Sequence, residues 1–400
     1  TISYKSFHNC KYIALGKNVE KISRDAVTSY YISLPSTATG YTENSINALE
    51  GAIIFFDGSS EAFDLLIDNE FISYYHGGVS FYTGKAVELK IDDKFSYIIY
   101  DDKVEILSYN RNLTDVVIPV VLDGYMVKTI GVSAFSGVSQ FYKELAMTPA
   151  LRSVVIPSSV EKISKYAFYE CVGLEEVTIP DSVKYIGDYA ITTYCADFKI
   201  GGAVEHYGVN AIVTKGSVIL KSIASVNSYG DSIICSTMIY NGTYEEIATA
   251  NMYGAICYTH LVLGSATDYS YGCDFKYVVS DYDEITILRY LGDDTIVSIP
   301  EEINGAWVTN VADNVFVRID AVESDNTIIN NVKVQEISLP DNVVKILDNA
   351  FYGLETLTTI KADCDSFSAD ILKQSDLLVT IHDIPSEWVT VTAPTCSEHG

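Results

Sequence analysis

Acidic side chains are the first residues of this 400-residue sequence that could do chemistry, because they occur in close groups. The groups are Asp92 with Asp93, Asp101 with Asp102, Asp281 with Asp283 and Glu284, and Asp293 with Asp294. Calcium prefers six to eight oxygen ligands from a shaped loop, and none of these groups continues into an EF-hand or a Gly-Asp repeat. Asp is also frequent in the turns of β-hairpins. The pattern therefore favours acidic hairpin turns over calcium sites.

Histidine and cysteine do not occur at the spacings that catalysis or metal binding requires. The six histidines form no His-x-x-x-His pair and the eight cysteines form no Cys-x-x-Cys pair. The sequence also lacks a Gly-x-Ser-x-Gly elbow, a P-loop and a dinucleotide-binding glycine loop. A pair of distant carboxylates could serve a glycosidase, but 53 acidic residues produce such pairs by chance. We predict no enzyme, no cofactor and no metal site. We interpret the cysteines as isolated, buried small hydrophobes, and the alternative is one or two tertiary disulfides, which the sequence cannot pair.

The charge balance restricts the class of partner. The sequence has 26 basic and 53 acidic residues, which gives a net charge of -27 at pH 7. A field of this sign repels nucleic-acid phosphates and anionic lipid. In addition, no apolar run reaches the roughly 18 residues that a membrane span needs. We therefore predict no nucleic-acid partner and no membrane insertion, in a chain whose 48% hydrophobic residues can bury a large core.

A repeated template organises the elements that would position any site. Its anchor is a proline or a glycine, and four anchors are evident: Gly16, Pro157, Pro180 and Pro340. Counted from the anchor, apolar residues recur at +3 and +6, followed by Ala at +10 and a large apolar residue at +11. A sequence that repeats in this way predicts a stack of similar units.

Each unit begins with a short strand. In the unit before Pro180, Val177 and Ile179 alternate with polar residues, which predicts that both point inward. Proline then ends the strand because it has no N–H to donate. Ala at +10 permits close backbone approach, and the residue at +11 fills the space between coils. Since one coil cannot bury its own apolar side, neighbouring coils must stack into a solenoid.

A longer period lies above the short one. Phe95–Phe135 aligns with Phe275–Phe316, and both segments stretch the template by five residues. Each segment opens with a predicted β-hairpin and is followed by an insertion, around 137–150 in one case and 317–333 in the other. By contrast, residues 195–237 match the template poorly.

Three segments read as strand, tight turn, short helix and strand, which is a plausible way to end a solenoid. They are Ile53–Tyr75, Met238–Tyr258 and, more faintly, Asp363–His382. From these terminators we predict four parts: a truncated repeat array with its terminator at 1–92, a second array at 93–268, a third array at 269–389, and the start of a following Cys-containing module at 390–400.

The unit strand-Ile-Pro-x-x-Val-x-x-Ile-x-x-x-Ala-Phe resembles the BspA-like (treponemal-type) leucine-rich repeats of bacterial surface proteins. Cys171, three residues after Phe168, lies where that family's motif has a cysteine, and Ile303–Val311 is similar to the way its arrays begin. The tail Glu387–Gly400 resembles the small Cys-containing repeats that often follow. The resemblance implies a β-rich right-handed solenoid with short parallel strands on one face, and irregular or short-helical returns. It also implies export and display on the cell surface or cell wall.

Two groups of residues are candidates for ligand binding. The outward positions of the predicted sheet include Glu176, Thr178 and Glu336, although a row of small and acidic residues also fits a plain solvated sheet. The insertion around 137–150 has an amphipathic tip of Phe141, Tyr142 and Lys143, because loops on rigid scaffolds often carry function. The alternative for this tip is that it caps the edge of the sheet.

The leading functional hypothesis is a non-catalytic, secreted or cell-surface protein that binds another macromolecule. The expected partner is a host extracellular protein or a mucosal glycan. One alternative is a structural spacer that displays another module. A second is a carbohydrate-binding part of a polysaccharide-utilising surface system, in which Trp307 and Trp388 stack on sugar rings instead of packing internally. An adhesin should show an exposed apolar patch, and a sugar-binding protein should show a cleft with an aromatic floor beside carboxylates.

Overall fold

The fold is described from a computed structural model. It describes residues 1–37, 40–74, 80–83, 88–137, 151–194, 196–223, 232–252, 255–265, 268–317, 321–322, 328–329, 332–363, 378–380 and 388–392. In this part of the chain the structure is a β-solenoid of about 13 turns. The predicted solenoid is therefore confirmed.

The described residues of the first array form eight strands and one helix. They are β1 (Phe7–Ala14), β2 (Lys21–Ile22), β3 (Val27–Leu34), β4 (Gly40–Tyr41), β5 (Ile46–Phe56), α1 (Ser60–Asp68), β6 (Ile72–Tyr74), β7 (Ser80–Thr83) and β8 (Glu88–Ile91). The main sheet has the order β1-β3-β5-β6, with β7 also paired to β5, and all of its pairs are parallel.

The second array contains the longest stack of coils. Its elements are β9 (Phe95–Tyr100), β10 (Lys103–Tyr109), β11 (Asp115–Val117), β12 (Val121–Leu122), β13 (Tyr125–Ile130), β14 (Ser153–Val155), β15 (Lys162–Ile163), β16 (Glu176–Ile179), β17 (Tyr185–Ile186), β18 (Ile191–Thr192), β19 (Asp197–Ile200), β20 (His206–Tyr207), β21 (Ile212–Val213), β22 (Ser217–Leu220), β23 (Ile233–Tyr240), α2 (Tyr244–Met252) and β24 (Ile256–Leu263).

The third array repeats this plan with fewer coils. Its elements are β25 (Ser270–Gly272), β26 (Phe275–Val279), β27 (Glu284–Tyr290), β28 (Ile296–Ser298), β29 (Glu302–Ile303), β30 (Ala306–Val311), β31 (Ala321–Val322), β32 (Ile328–Ile329), β33 (Glu336–Ser338), β34 (Lys345–Ile346), β35 (Thr359–Asp363), β36 (Leu378–Thr380) and β37 (Trp388–Thr392). The boundaries after residues 92 and 268 stay a prediction, and the three array names denote residue ranges only.

Two parallel ladders run along the second array. The front sheet has the order β11-β14-β16-β19-β22-β23, and the return sheet has the order β20-β17-β15-β13-β10 followed by the hairpin strand β9. Between the sheets lie the template residues: those that follow Pro157 and Pro180 at +3, +6, +10 and +11 are all at most 1% exposed. The template therefore predicted the core correctly, and the returns contain two-residue strands in place of the short helices that the resemblance allowed.

The sequence predicts that residues 195–237 match the repeat template poorly, and this prediction is wrong for the first half of the segment. Gly201 takes the proline's place, and Val204, Tyr207, Ala211 and Ile212 follow it at +3, +6, +10 and +11, all buried. The strand pairs β16–β19 and β17–β20 continue both ladders through this coil. The match was missed because Gly and Tyr replace two template residues, although both satisfy the same packing.

Position +9 of the template has a left-handed backbone in coil after coil. The φ angle is 51° at Asp25 and Asn44, 58° at Tyr166, 50° at Tyr189 and 49° at Asn210. Asp and Asn tolerate this conformation, whereas it is strained for a bulky residue such as Tyr. In four of these cases, Asp25, Asn44, Tyr166 and Tyr189, the +9 amide donates a hydrogen bond to the next coil, for example from Tyr189 N to the carbonyl of Val209 at 2.9 Å. This bond and the packing of the rings offset the strain.

Of the three predicted terminators, the first two contain their helices, which are capped as expected, and the helix of the third, Asp363–His382, lies outside the described residues. The Ser59 hydroxyl accepts a hydrogen bond from the amide of Ala62 at 3.3 Å and begins α1. At α2, the hydroxyl of Thr243 accepts from the amide of Glu246, whose carboxylate accepts from the amide of Thr243 at 2.8 Å. This reciprocal pair is a capping box, which fixes where the helix begins.

The described cysteines form no disulfide with one another. Cys171 and Cys235 are buried, as predicted, and Cys10 and Cys257 are half-buried. Cys273 is exposed, so its interpretation as a buried hydrophobe is wrong: it lies in the tight turn between β25 and β26.

Candidate functional site

The outward face of the front sheet contains two of the six predicted site residues, Glu176 and Thr178. Asp115, Ser153, Glu176 and Asp197 are partners in register on successive strands and form one row. Each lies four residues before the anchor of its coil, and we call this set of positions the -4 row. The neighbouring outward row contains Val117, Val155, Thr178 and Lys199. Only part of this face is exposed, because the hairpin strands of the third array cover its C-terminal strands.

A network of ion pairs holds this contact. The Lys276 ammonium on β26 lies 2.7 Å from Asp197 Oδ2 and 2.8 Å from Glu176 Oε2. Arg289 Nη2 on β27 lies 3.5 Å from the same oxygen of Asp197. The side chains of Lys276 and Asp197 are only 5% and 3% exposed. A cation and a carboxylate at such depth compensate each other, since either one alone would carry a large desolvation cost.

Hydrogen bonds complete the network around Asp197. Its Oδ1 accepts from the amide of Ser217 at 2.8 Å and from the Ser217 hydroxyl at 2.7 Å. The buried Tyr269 ring lies under the Lys276 ammonium at 3.8 Å, and the Tyr269 hydroxyl donates to the carbonyl of Phe198 at 3.0 Å. The charge pair is therefore enclosed by groups from both arrays.

The electrostatics follow from these distances. Burial raises the pKa of the Asp197 carboxyl, but the Lys276 and Arg289 charges outweigh burial and hold that pKa below its ordinary value. The pKa of Glu176 is lowered in the same way, with burial opposed by Lys276 and by the Lys199 ammonium 2.8 Å away. Both carboxylates are therefore charged at neutral pH.

Apolar side chains surround the ionic centre. Ile219 and Ile239 from the front sheet, and Val278 and Leu288 from the hairpin, belong to one buried cluster. We call this contact the second junction, and it comprises Glu176, Asp197, Lys199, Ile219, Ile239, Tyr269, Lys276, Val278, Leu288 and Arg289.

The first junction joins the first array to the second in the same orientation. Tyr31, Ile53 and Phe55 on β3 and β5 belong to one buried cluster with hairpin and return-sheet residues of the second array, namely Ile98, Tyr100, Leu107 and Val132. Phe55 lies against Tyr100 with ring centroids 5.3 Å apart. The front sheet of one array thus packs on the return side of the next, twice in this chain.

The polar centre of the first junction is Glu105 on β10. Its two carboxylate oxygens each accept a 2.6 Å hydrogen bond, one from the Tyr31 hydroxyl and one from the Tyr100 hydroxyl. The Tyr31 hydroxyl in turn accepts from the amide of Val132 at 2.9 Å. Lys11 donates across the same junction to the carbonyl of Ser133 at 3.0 Å. Burial and the nearby Arg111 lower the pKa of Lys11 to about 7, although Glu105 opposes them.

The structure separates the predicted binding residues. Glu176 is part of the second junction, so its carboxylate serves an internal contact. Thr178 is exposed on the outer row, and Glu336 lies on β33 with its carboxylate 2.6 Å from the Lys361 ammonium. Phe141, Tyr142 and Lys143 lie outside the described residues. Sequence reasoning identified the outward positions correctly but missed the hairpin that covers some of them.

An exposed apolar surface remains at the N-terminal edge of the front sheet. Val117 and Val155 are partners on the edge strand β11 and its neighbour β14, and they are 67% and 54% exposed. The chain continues from Val117 into the β12–β13 hairpin, where Val121 pairs with the exposed Met126. We call the group of Val117, Val120, Val121, Met126 and Val155 the apolar edge patch.

The surface tyrosines of the return sheet are poorly arranged for sugar binding. Tyr185 and His206 stack on each other at 4.6 Å and 10°, and Tyr166 and Tyr189 stack at 5.6 Å. Rings that stack along the solenoid present their edges outward, whereas a sugar ring needs an exposed aromatic face. A small cleft at the second junction, with room for about one water molecule, is lined by polar and charged residues such as Lys215, Ser236 and Asp313, and it has no aromatic floor.

A buried histidine lies near a threonine but lacks the geometry of a nucleophilic pair. His260 Nε2 is 3.5 Å from the Thr286 hydroxyl, and its Nδ1 is 3.1 Å from the Lys345 ammonium. Burial and Lys345 lower the pKa of His260 to about 4, against a weaker opposing effect of Asp313. An imidazole of this basicity is a weak general base, and Thr286 is 1% exposed, so substrate cannot reach it.

Neither of the two helices among the described residues, nine residues each, has the length and apolar character of a membrane-crossing segment. Within the same described ranges, no group of three or more His, Cys, Asp or Glu side chains is placed to hold a metal ion.

Comparison with known proteins identifies the repeat. Residues 105–233 and 323–390 match the family described as BspA type leucine-rich repeat region, in six copies. The chain carries BspA-type leucine-rich repeats. The first match begins in the hairpin strand β10 and includes the Gly201 coil, which confirms that this coil belongs to the BspA-type array. A search of curated proteins found no match.

Three solved structures are similar to the chain over about two thirds of its length. A leucine-rich cell surface protein from Faecalibacterium prausnitzii A2-165 is 20% identical, covers 69% of this chain and 76% of its own, and has a TM-score of 0.24. The pneumococcal vaccine antigen PcpA is 14% identical, with 69% and 70% coverage and a TM-score of 0.26. A leucine-rich-repeat protein from Bacteroides ovatus is 16% identical, with 67% and 81% coverage and a TM-score of 0.18.

Proposed function

We propose that the chain is a non-catalytic, secreted or cell-surface protein that binds an extracellular protein through the apolar edge patch. BspA-type repeats are typical of bacterial surface proteins, which supports the location. The observation that carries the binding role is the exposure of Val117 and Val155, side by side at the edge of the sheet that the third array leaves uncovered. Contiguous exposed apolar residues on a rigid scaffold are typical of a protein-binding surface.

The chemistry of the patch indicates the class of partner. Its members are aliphatic, and the charged residues next to them are engaged with each other: Arg152 lies 3.6 Å from Glu175, and Lys128 lies 2.6 Å from Glu161. A surface of this kind favours an apolar protein segment, because sugars and nucleic acids require hydrogen-bonding or cationic groups. A host matrix protein fits this requirement better than a mucosal glycan does.

A binding panel tests this proposal. The full chain is titrated against immobilised matrix proteins, mucins and glycans at low and high salt. Binding to a protein should saturate and persist in high salt, because apolar contacts are not screened. The double variant Val117→Asp with Val155→Asp should weaken that binding by about tenfold or more.

The matched control is Val344→Asp, which alters a valine of similar exposure in the third array. It should bind like the wild type. Equal binding by the double variant and the wild type would refute the role of the patch. No binding beyond that of an equally acidic control protein would refute the adhesin itself.

A structural spacer is the second candidate, and the two junctions favour it. Each junction buries a polar centre inside an apolar cluster, which fixes the orientation of successive arrays. A chain built this way holds its ends at a set separation. The spacer role requires no ligand, so it gains support if the binding panel is negative.

A further inference from the structure

The third array repeats the polar residues that receive the docked hairpin in the second junction. Glu176 lies four residues before Pro180, and Glu336 lies four residues before Pro340. In the second array Thr178 pairs in register with Lys199, and in the third array Ser338 pairs with Lys361. Glu336 and Lys361 therefore occupy the positions of Glu176 and Lys199 in the sheet.

The side-chain contacts within the two pairs are also the same. The Lys199 ammonium lies 2.8 Å from Glu176 Oε1, and the Lys361 ammonium lies 2.6 Å from Glu336 Oε1. In the second array the other carboxylate oxygen of Glu176 accepts hydrogen bonds from the Lys276 ammonium and the Tyr271 hydroxyl, which belong to the hairpin of the third array. Among the described residues, the other oxygen of Glu336 has no such contact with a hairpin.

The -4 row supplies the polar contact at both junctions. Tyr31, four residues before Pro35, bonds to the hairpin residue Glu105 in the first junction. Asp197, four residues before Gly201, pairs with the hairpin residue Lys276 in the second. In the third array the same row contains Ile296, Glu336 and Thr359, and Ile296 is 61% exposed.

We propose that the outward face of the third array's sheet, centred on Glu336 of the -4 row and on Lys361 of the neighbouring row, is a docking surface for the opening β-hairpin of a further leucine-rich-repeat array. The hairpin that fits has the chemistry of β25 to β27: a lysine for the free oxygen of Glu336, and aliphatic residues for Ile296. A second copy of this chain does not fit, because both of its opening hairpins are buried in its own junctions. This inference concerns the third array, whereas the apolar edge patch lies in the second, and it does not depend on the proposed function.

A hairpin peptide tests the proposal on the full chain. The probe is a synthetic, backbone-cyclised peptide of residues 269–291 with Cys273→Ser, which contains the three strands β25, β26 and β27. The native docking site of this hairpin is already filled within the chain, so the labelled peptide should bind once per chain. Fluorescence anisotropy measures the affinity.

Charge exchange between peptide and chain identifies the site. Glu336→Lys in the chain should weaken binding by about tenfold, and so should Lys276→Glu in the peptide. The two changes together should restore most of the affinity. Glu355→Lys, an exposed charge change in the same array, is the control and should leave binding unchanged. Glu336→Gln provides a milder variant if the lysine variant melts early.

Carbodiimide crosslinking gives an independent readout, because it joins a lysine to a carboxylate in contact. The proposal predicts a crosslink between peptide Lys276 and chain Glu336. A crosslink to Glu176 would mean that the peptide displaces the native hairpin, and it would overturn the proposal. Failure of the peptide to bind, or binding that ignores Glu336→Lys, would also overturn it.

Discussion

The two junctions have the same geometry but opposite chemistry. In the first junction the hairpin supplies the buried carboxylate, Glu105, and the sheet supplies the Tyr31 hydroxyl. In the second junction the sheet supplies the carboxylates, Asp197 and Glu176, and the hairpin supplies the Lys276 ammonium. Since a buried charge without its partner is costly, each hairpin suits its own sheet and not the other. The polar centres therefore determine which arrays pack together, while the apolar residues determine how closely.

The largest effect is expected from Lys276→Ala. This change leaves the buried Asp197 and the half-buried Glu176 beside one another, with Arg289 and Lys199 as the remaining cations of the junction, so unfolding free energy should fall by about 3–5 kcal/mol. Urea unfolding followed by circular dichroism measures the loss. The control is Lys184→Ala, which removes an exposed partner of Glu205 at 3.7 Å and should cost less than about 1 kcal/mol. Equal losses in the two variants would show that the second junction does not depend on its charges.

A moderate effect is expected when pH falls, and it should come from His260, which lies against Thr286 on the hairpin strand β27. The pKa of His260 is about 4 in the folded chain, against an ordinary value of 6.5. As pH falls below 6.5, the unfolded chain therefore takes up a proton that the folded chain does not, and stability is lost down to about pH 4. Between pH 6.5 and 5 the loss should be about 2 kcal/mol, at about 1.36 kcal/mol per pH unit.

The titration of Asp197 and Glu176 does not fall in the pH range in which His260 acts. The pKa values of Asp197 and Glu176 are lowered, so their contribution to stability is lost only at more acidic pH. Urea midpoints at pH 7 and pH 5 measure the effect. His260→Gln should flatten the dependence, whereas His206→Gln, at the surface against Tyr185, should not. The same slope in wild type and His260→Gln would contradict the assignment to His260.

The smallest effect is expected in the first junction, from Tyr31→Phe. The change removes the hydroxyl that bonds to Glu105 and to the amide of Val132, but it keeps the ring in place. The cost should be about 1.5 kcal/mol, since Glu105 retains its bond from Tyr100. Thermal unfolding measures it, with the exposed Tyr4→Phe as control. A loss as large as that of Lys276→Ala would mean that the two junctions are equally dependent on polar contacts.

The coils could be predicted from the sequence because their cause is local. An anchor, two inward apolar residues and a small residue at +10 fix the path of one coil, and the Pro157 and Pro180 coils follow it throughout. The Gly201 coil was missed since glycine can end a strand as proline does, but without proline's clear signal. The left-handed backbone at Tyr166 and Tyr189 gave no signal at all, because tyrosine is an unusual residue for that conformation.

The junctions could not be predicted, because their partners are distant in sequence. Strand periodicity shows that Glu176 points outward, but it does not show what covers it. Lys276 lies 100 residues further along the chain, and its contact depends on how two arrays are oriented. The same periodicity gave Val117 and Val155 as outward residues. Periodicity does not show whether these two residues are exposed, because that depends on how far along the sheet the hairpin of the third array extends.

The left-handed residue at +9 makes each coil an interchangeable unit. The amide of this residue donates a hydrogen bond to a carbonyl in the equivalent turn of the next coil, from Asp25 to Asn44 and from Tyr189 to Val209. These successive coils therefore pack through the same type of bond. Duplication of a coil would therefore lengthen an array by about 4.8 Å while leaving both of its junctions intact. In proteins built this way, the length of an array can change during evolution in steps of one coil, independently of the contacts that hold the arrays together.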